Sequence, residues 1–144
     1  MIDYLVETYQ KYLDVSHETR IEIMKSSNEE IMVYLFEDNS YYEPERLPLL
    51  MGIYRLFMKL DGAINIDERK ILSEVFGDFT QEELDKFFSD KNNDTLVSKV
   101  MIDAIKDFPE DIIFSVIAIG LSIFADDGKL TKKEIDFLEQ FLTK

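Results

Sequence analysis

The 144-residue sequence contains no cysteine and a single histidine, His17. The absence of cysteine excludes disulfides, thiolate nucleophiles, zinc fingers and iron–sulfur ligation. One histidine is too few for a di-iron bundle, which takes a Glu-x-x-His pair from each of two helices. The sequence also has no glycine-rich phosphate loop and no Gly-x-Ser-x-Gly nucleophile elbow. Because His17 lies in the polar segment Ser16-His17-Glu18, we expect its side chain to be exposed.

Glycine and proline are also scarce, with five and three residues respectively. So few helix-breaking residues favour long helices over the many short strands of a sandwich or barrel. Apolar residues make up 46% of the chain, which is too hydrophobic for a disordered protein in spite of its charge. The length fits one domain around one core.

Basic residues are few: 16 Lys and Arg stand against 30 Asp and Glu, which gives a formal net charge of −14 and a pI near 4.4. Such a surface repels nucleic-acid phosphates and anionic lipid, so we expect neither nucleic acid nor a membrane as partner. A protein partner with a basic surface is favoured instead. The first residues lack the basic start and apolar run of a secretory signal, which predicts a cytoplasmic location. The apolar run at 112–124 is shorter than the roughly twenty residues of a membrane span, and we interpret it as a buried core helix.

Apolar residues spaced three and four apart predict helices over about 2–14, 16–25, 66–76, 95–106 and 109–124. A further helix is expected from Leu47 or Pro48 to Leu60, after a loop at 38–45. Segment 31–36 is compatible with helix or buried strand, and we favour helix because no partner strand is evident. Capping boxes, in which an N-cap side chain and a Glu three residues later bond each other's backbone N–H, are expected at Ser27/Glu30, Asn65/Glu68, Thr80/Glu83 and Thr131/Glu134. The sequence therefore predicts an all-α, single-domain bundle of seven to eight helices.

One motif occurs twice: Asp-Gly-Ala-Ile-Asn-Ile-Asp-Glu at 61–68 and Asp-Gly-Lys-Leu-Thr-Lys-Lys-Glu at 127–134. The second copy lies 66 residues after the first, and the same offset pairs the apolar residues Ile53 with Ile119 and Ile71 with Phe137. The apolar frame thus repeats together with the acidic turn. This predicts two copies of a helix–turn–helix unit, at about 48–76 and 110–143, with an internal pseudo-twofold repeat.

An acidic turn between two helices invites comparison with the calcium-binding EF-hand, whose loop has glycine at its sixth position. If Gly62 or Gly128 held that position, the first and third ligand positions would fall on side chains without oxygens, Phe57 and Lys59 or Ile123 and Ala125. The EF-hand is therefore excluded in both copies.

The remaining pattern, Asp-Gly-x-(Ile/Leu)-x-x-x-Glu, resembles the repeated signature of the tellurite-resistance TerB-like family over roughly residues 48–144. The second copy is closer to that signature than the first, which has Lys59-Leu60 where small residues are usual. The resemblance implies an internally duplicated helical domain over 46–144, with 1–45 as an N-terminal helical extension packed on it. It also implies a link to stress and tellurite resistance, and divalent-metal binding by acidic residues. The candidate ligands carried over by position are Asp61, Glu68, Asp127 and Glu134, with Asp126 as an additional carboxylate.

Two interpretations of these turns remain open. If the repeat brings the turns together, their carboxylates repel one another, and a hard cation such as Ca²⁺, Mg²⁺ or Mn²⁺ relieves the repulsion. Alternatively, Glu68 and Glu134 act only as capping-box partners, and Asp61 and Asp127 only form turns. We therefore expect a non-catalytic module that binds a divalent metal, with a purely structural protein–protein interaction domain as the alternative and a metal-dependent hydrolase as a third hypothesis. The sequence predicts neither the metal nor the oligomeric state.

Overall fold

A computed structural model describes residues 2–37, 43–60, 66–77, 80, 82 and 94–142. These residues contain seven helices and no strand, which confirms the predicted all-α class for this part of the chain. The helices are α1 (Ile2–Leu13), α2 (His17–Glu37), α3 (Glu43–Met58), α4 (Ile66–Phe76), α5 (Asp94–Lys106), α6 (Glu110–Asp127) and α7 (Lys132–Leu142). The first Asp-Gly turn at 61–65 and most of the short helix expected after Thr80 lie outside the described residues.

Helix α2 is one continuous helix of 21 residues, whereas the sequence predicted a break near Lys25 and a new helix capped by Ser27. That prediction was wrong, because Ser27 lies on the buried stripe of the helix and does not cap it. The stripe continues on both sides of Ser27 through the apolar residues Ile21, Met24, Ile31 and Leu35. The N-cap is Ser16, as predicted, and its Oγ accepts a hydrogen bond from the backbone N–H of Thr19 at 3.1 Å. Residues 31–36 are helical.

Helix α3 begins at Glu43, earlier than the predicted start at Leu47 or Pro48. Pro44 lies in its first turn, where a missing backbone N–H removes no helical hydrogen bond. Pro48 therefore lies one turn inside the helix, where its nitrogen cannot donate to the carbonyl of residue 44. The expected boundary between residues 45 and 46 falls within this helix.

Helix α6 forms the centre of the fold, and α1, α2, α3 and α7 all pack against it. Most of its apolar residues are buried, and Val116, Ile117, Ile119 and Leu121 have no exposed surface. The prediction of a buried core helix over 112–124 is thus confirmed. Within the described ranges, no helix combines the length and apolar character that crossing a bilayer requires. The N-terminal helices α1 and α2 contribute buried side chains to the same core, among them Leu5 and Met24.

Close packing around Phe57 fixes the position of α6 relative to α3 and α7. The Phe57 ring makes edge contacts with Phe124 of α6 at 5.9 Å and with Phe137 of α7 at 5.7 Å between ring centroids. Gly120 of α6 lies directly under this ring, where a Cβ would be only 2.7 Å from Phe57. Glycine is therefore required for the close approach of α3 to the middle of α6.

Candidate functional site

The second acidic turn is the C-terminal end of α6. Asp126 and Asp127 are the last two residues of the helix, and Gly128 follows in the left-handed conformation with φ 86° and ψ 8°. The Gly128 N–H donates to the carbonyls of Phe124 and Ala125, both at 3.1 Å, and so caps the helix. A helix C-terminus carries partial negative charge, so two carboxylates there are unfavourable unless cations lie nearby.

Two cationic side chains of α2 neutralise Asp126. Its Oδ1 accepts a hydrogen bond from His17 Nδ1 at 2.5 Å and from Arg20 Nε and Nη2 at 3.2 and 3.1 Å. The side chains of Asp126 and Arg20 are only 16% and 12% exposed, so this ion pair is shielded from solvent. Arg20 also donates through Nη1 to the carbonyls of Tyr12 and Val15, at 3.0 and 2.7 Å. This arginine therefore ties the end of α1 and the start of α2 to the end of α6.

His17 bridges two carboxylates. Its Nε2 lies 2.8 Å from Glu74 Oε2 on α4, while Nδ1 bonds Asp126. Ionised carboxylates only accept hydrogen bonds, so this arrangement favours the protonated imidazole, in which both ring nitrogens donate. The hydrogen bond to Asp126 is the largest cause that raises the pKa of His17; burial opposes it, and the Glu74 hydrogen bond adds to it. The sequence predicted an exposed His17; its side chain is 35% exposed and lies between Asp126 of α6 and Glu74 of α4.

A pocket of about 300 Å³ opens beside this bridge, between α4 and the end of α6. Ile71 and Ile123, each 2% exposed, supply its apolar wall. Of the described residues that line it, His17 and Lys70 are basic. Five carboxylates from the same described part of the chain line this space: Asp67, Glu68, Glu74, Asp126 and Asp127. We call this cavity the acidic pocket.

The structure brings three of the five predicted ligands to this pocket. Glu68 comes from the first motif copy, and Asp126 and Asp127 come from the end of α6. Glu134 is not among the pocket-lining residues, and Asp61 lies outside the described part of the chain. Residues of both motif copies thus face one cavity.

Glu134 has the structural role that the capping box predicts. Its Oε1 accepts a hydrogen bond from the backbone N–H of Thr131 at 2.8 Å, and the Thr131 hydroxyl accepts one from the Glu134 N–H at 3.2 Å. The residue is 1% exposed. Its charge reaches Tyr9 of α1, whose pKa is raised first by burial and then by the negative charges of Glu134 and Asp127.

The donor chemistry of the acidic pocket fits a hard, oxygen-preferring cation. Among the described residues, no three His, Asp or Glu side chains are arranged to enclose a metal ion directly. Asp126 Oδ1 is already engaged by His17 and Arg20, whereas Asp127 is exposed and makes no ion pair with another described residue. The arrangement therefore suits a cation that keeps most of its water and contacts one or two carboxylates, as Mg²⁺ commonly does.

The sequence interpretation missed most of the cationic side of this site. His17 and Asp126 are 109 residues apart, and no local pattern connects them. The acidic face of α4 could have been predicted from the sequence. Asp67, Ile71 and Glu74 are four and three residues apart, which places them on one face of a helix. That spacing would have placed Glu74 beside the first motif copy.

Comparisons of the chain with protein-family models, with curated proteins and with solved structures found no match. The resemblance to the TerB-like family therefore stays a prediction from the repeated motif.

Proposed function

We propose that the chain is a non-catalytic, cytoplasmic helical module of the TerB-like type that binds a hydrated divalent cation in the acidic pocket. The observation that carries this proposal is that Glu68, the last residue of the first motif copy, and Asp127, the first residue of the second copy, line the same cavity of about 300 Å³. The proposal includes an internal pseudo-twofold repeat of the helical hairpins, in which Glu68 corresponds to Glu134 and Asp127 to Asp61. Mg²⁺ is the leading ion, and Ca²⁺ and Mn²⁺ share its preference for oxygen ligands.

The balance of charge supports a cationic ligand. Among the described residues, five carboxylates face the pocket, against the imidazole of His17 and the ammonium of Lys70, and the guanidinium of Arg20 pairs with one of the five, Asp126. Asp126 and Asp127 also lie at the negative end of the α6 dipole, which adds to the unfavourable potential. A divalent cation near Asp127 and Glu68 reduces this repulsion without displacing the internal ion pair between Arg20 and Asp126.

The chemistry of the lining residues supports binding more than catalysis. The pocket-lining residues that the structure describes are His, Asp, Glu, Lys and Ile, and they supply no hydroxyl or thiol nucleophile. His17 directs both ring nitrogens at carboxylates, so neither nitrogen is directed at a substrate from which it could accept a proton. A bound cation would supply charge neutralisation and would fix α4 against α6.

Calorimetric titration with Mg²⁺, Ca²⁺ and Mn²⁺ tests the proposal. We expect a dissociation constant of about 10⁻⁴ to 10⁻³ M for the preferred ion, as for weak oxygen-ligand sites. The double variant Glu68→Gln/Asp127→Asn should weaken binding about tenfold or more, because it removes both charges that the ion contacts. The matched control Glu7→Gln/Asp103→Asn changes two exposed acids on α1 and α5 and should stay within about twofold of wild type.

Thermal unfolding supplies a second readout, because a ligand that binds only the folded state stabilises it by about 2.7 kcal/mol at one hundred times its dissociation constant. Absence of both heat and thermal stabilisation with all three ions, up to about 20 mM, would remove the metal from the proposal. Equal binding by wild type and the Glu68→Gln/Asp127→Asn variant would place the ion elsewhere.

A metal-free interaction domain is the alternative function, and the capping box at Thr131 and Glu134 favours it. Glu134, one of the predicted ligands, already forms the capping box with Thr131. The second acidic turn already ends α6, with Gly128 as its C-terminal cap. Under this alternative the acidic surface binds a basic protein and the metal titrations above give no signal.

A further inference from the structure

A second concave surface lies at the opposite end of α6 from the acidic pocket. It is formed by the C-terminal half of α2 and the first residues of α6, and it encloses about 560 Å³. Its apolar lining consists of Val33 and Tyr34 from α2, and Pro109 and Ile112 around the start of α6. We call this surface the α2–α6 groove. Some fifteen residues of helix separate it from Asp126, or about 22 Å at 1.5 Å per residue.

Two apolar side chains of α2, one lining the groove and one beside it, are exposed. Val33 is 57% exposed, and Phe36, one turn further along α2, is 70% exposed. Tyr34 is held by an edge contact of its ring with Phe108, at 5.2 Å between centroids, and Ile112 is 7% exposed. Large apolar side chains that stay exposed beside a preformed groove are typical of a surface that binds another protein.

The rim of the groove is acidic. Glu29, Glu30 and Glu37 of α2 and Asp111 of α6 line it, and none of the described lining residues is basic. Glu30 is anchored because its carboxylate accepts a hydrogen bond from the Ser115 hydroxyl. The ligand that matches an apolar floor with four carboxylates around it has a central apolar side chain flanked by Lys or Arg.

Charge also decides between the candidate occupants. A second copy of this chain would bring the same acidic rim and a further net charge of −14 to the groove, so like charges would face one another. Anionic lipid surfaces are repelled for the same reason. A basic segment of a different protein is the occupant whose charge and shape both fit.

We propose that the α2–α6 groove docks a basic amphipathic helix of a partner protein. Its apolar face lies on Val33, Tyr34 and Ile112, and its Lys or Arg side chains pair with the carboxylates of the rim. This is the helix-in-groove mode of recognition, in which apolar anchors at i, i+3, i+4 and i+7 enter a preformed groove. The site is independent of the cation proposed for the acidic pocket.

A labelled helical peptide of Leu and Lys, with Leu at i, i+3, i+4 and i+7, serves as the probe. Its binding is followed by fluorescence anisotropy at about 150 mM salt, where long-range charge attraction is screened, and with EDTA so that metals play no part. A peptide with the same Leu positions and Glu in place of Lys is the charge control. We expect micromolar binding of the Leu/Lys peptide and at least tenfold weaker binding of the Leu/Glu peptide.

Matched variants locate the binding. Val33→Asp changes an exposed side chain in the groove, and Val100→Asp changes one on α5 that is 61% exposed. The first should weaken binding about tenfold or more, and the second less than about twofold. The charge reversal Glu29→Lys/Glu37→Lys should also weaken it about tenfold, whereas Glu7→Lys/Asp103→Lys, with the same change in net charge, should have a small effect.

Three results would overturn the proposal. The first is no binding of the Leu/Lys peptide, and the second is equal weakening by the groove variants and their controls, which would mean non-specific attraction to an acidic protein. The third is a wild-type dimer in sedimentation that Val33→Asp dissociates, which would mean that a second copy fills the groove. The Glu68→Gln/Asp127→Asn variant should bind the peptide as wild type does, so failure of this proposal and failure of the cation proposal are distinguishable.

Discussion

The single histidine of the chain allows a direct measurement of the electrostatics at the acidic pocket. His17 donates to Asp126 at 2.5 Å and to Glu74 at 2.8 Å, and both carboxylates favour its protonated form. We therefore expect the pKa of His17 in the folded protein to lie above the ordinary histidine value of 6.5. Since no other histidine is present, one imidazole resonance reports the whole titration.

The two partners should contribute unequally. Asp126 is 16% exposed, and a hydrogen bond to a charged group in such a position is worth about 1.5 to 3 kcal/mol. Glu74 is 45% exposed, which limits its contribution to about 0.2 to 1 kcal/mol because solvent screens the pair. Replacing His17 with Gln should therefore destabilise the protein by about 2 kcal/mol at acidic pH, which is about 6 °C in Tm for a chain of this size.

The pH dependence has a defined sign. Because the pKa of His17 is raised on folding, its contribution to stability is fully present below about pH 6.5 and is lost as the pH rises through the higher folded-state pKa. The difference in unfolding free energy between wild type and His17→Gln should therefore shrink from pH 6 to pH 9. Urea unfolding at several pH values measures this difference.

The assay is an NMR titration of the imidazole carbon-bound protons in buffer with EDTA. Asp126→Asn should lower the pKa of His17 more than Glu74→Gln does, because the Asp126 hydrogen bond is the largest cause of the shift. Asp103→Asn, which changes an exposed acid on α5, is the matched control and should leave the titration unchanged. A wild-type His17 that titrates at or below 6.5, or a larger effect of Glu74→Gln, would refute the described bridge.

The remaining stability predictions concern packing and capping, and all are measured by urea unfolding. Gly120→Ala should destabilise the fold by about 1 to 3 kcal/mol, because the new Cβ meets the buried ring of Phe57 at 2.7 Å. Gly52→Ala should cost less, because its Cβ meets only the flexible end of Met101; equal losses would contradict this difference. Thr131→Ala should cost about 1 kcal/mol through loss of the capping box, and no loss would show that the cap is dispensable.

Sequence periodicity predicted most of the helices because each signal is local. Helix α4 begins at Ile66 and ends at Phe76 as predicted, and α5 begins within one residue of the predicted start. The capping box at Thr131 and Glu134 was correct because it depends on residues three apart. The same pattern at Ser27 and Glu30 failed, because burial of Ser27 against the core outweighs the local preference for a cap.

The candidate site was less predictable because its parts come from distant segments. The repeated motif indicated Glu68 and Asp127, and both line the acidic pocket. The cations that neutralise Asp126 lie 109 and 106 residues away, in a helix whose polar start gave no sign of a buried contact. A repeat within one chain reveals which residues correspond, whereas the partners that balance their charges depend on how the helices pack.

The proposed cation and the proton on His17 should compete, because both place positive charge beside Asp126 and Asp127. Raising the pH removes the proton and leaves the pocket more negative, so Mg²⁺ affinity should increase between pH 6 and pH 9. By linkage, saturating Mg²⁺ should lower the pKa of His17. The free energy of this pKa shift should equal the loss in Mg²⁺ binding free energy that protonation of His17 causes. Calorimetry at both pH values, on wild type and on His17→Gln, tests this coupling. If His17→Gln keeps the full pH dependence, the proton that competes with the ion belongs to another group and the ion does not lie beside the His17 bridge.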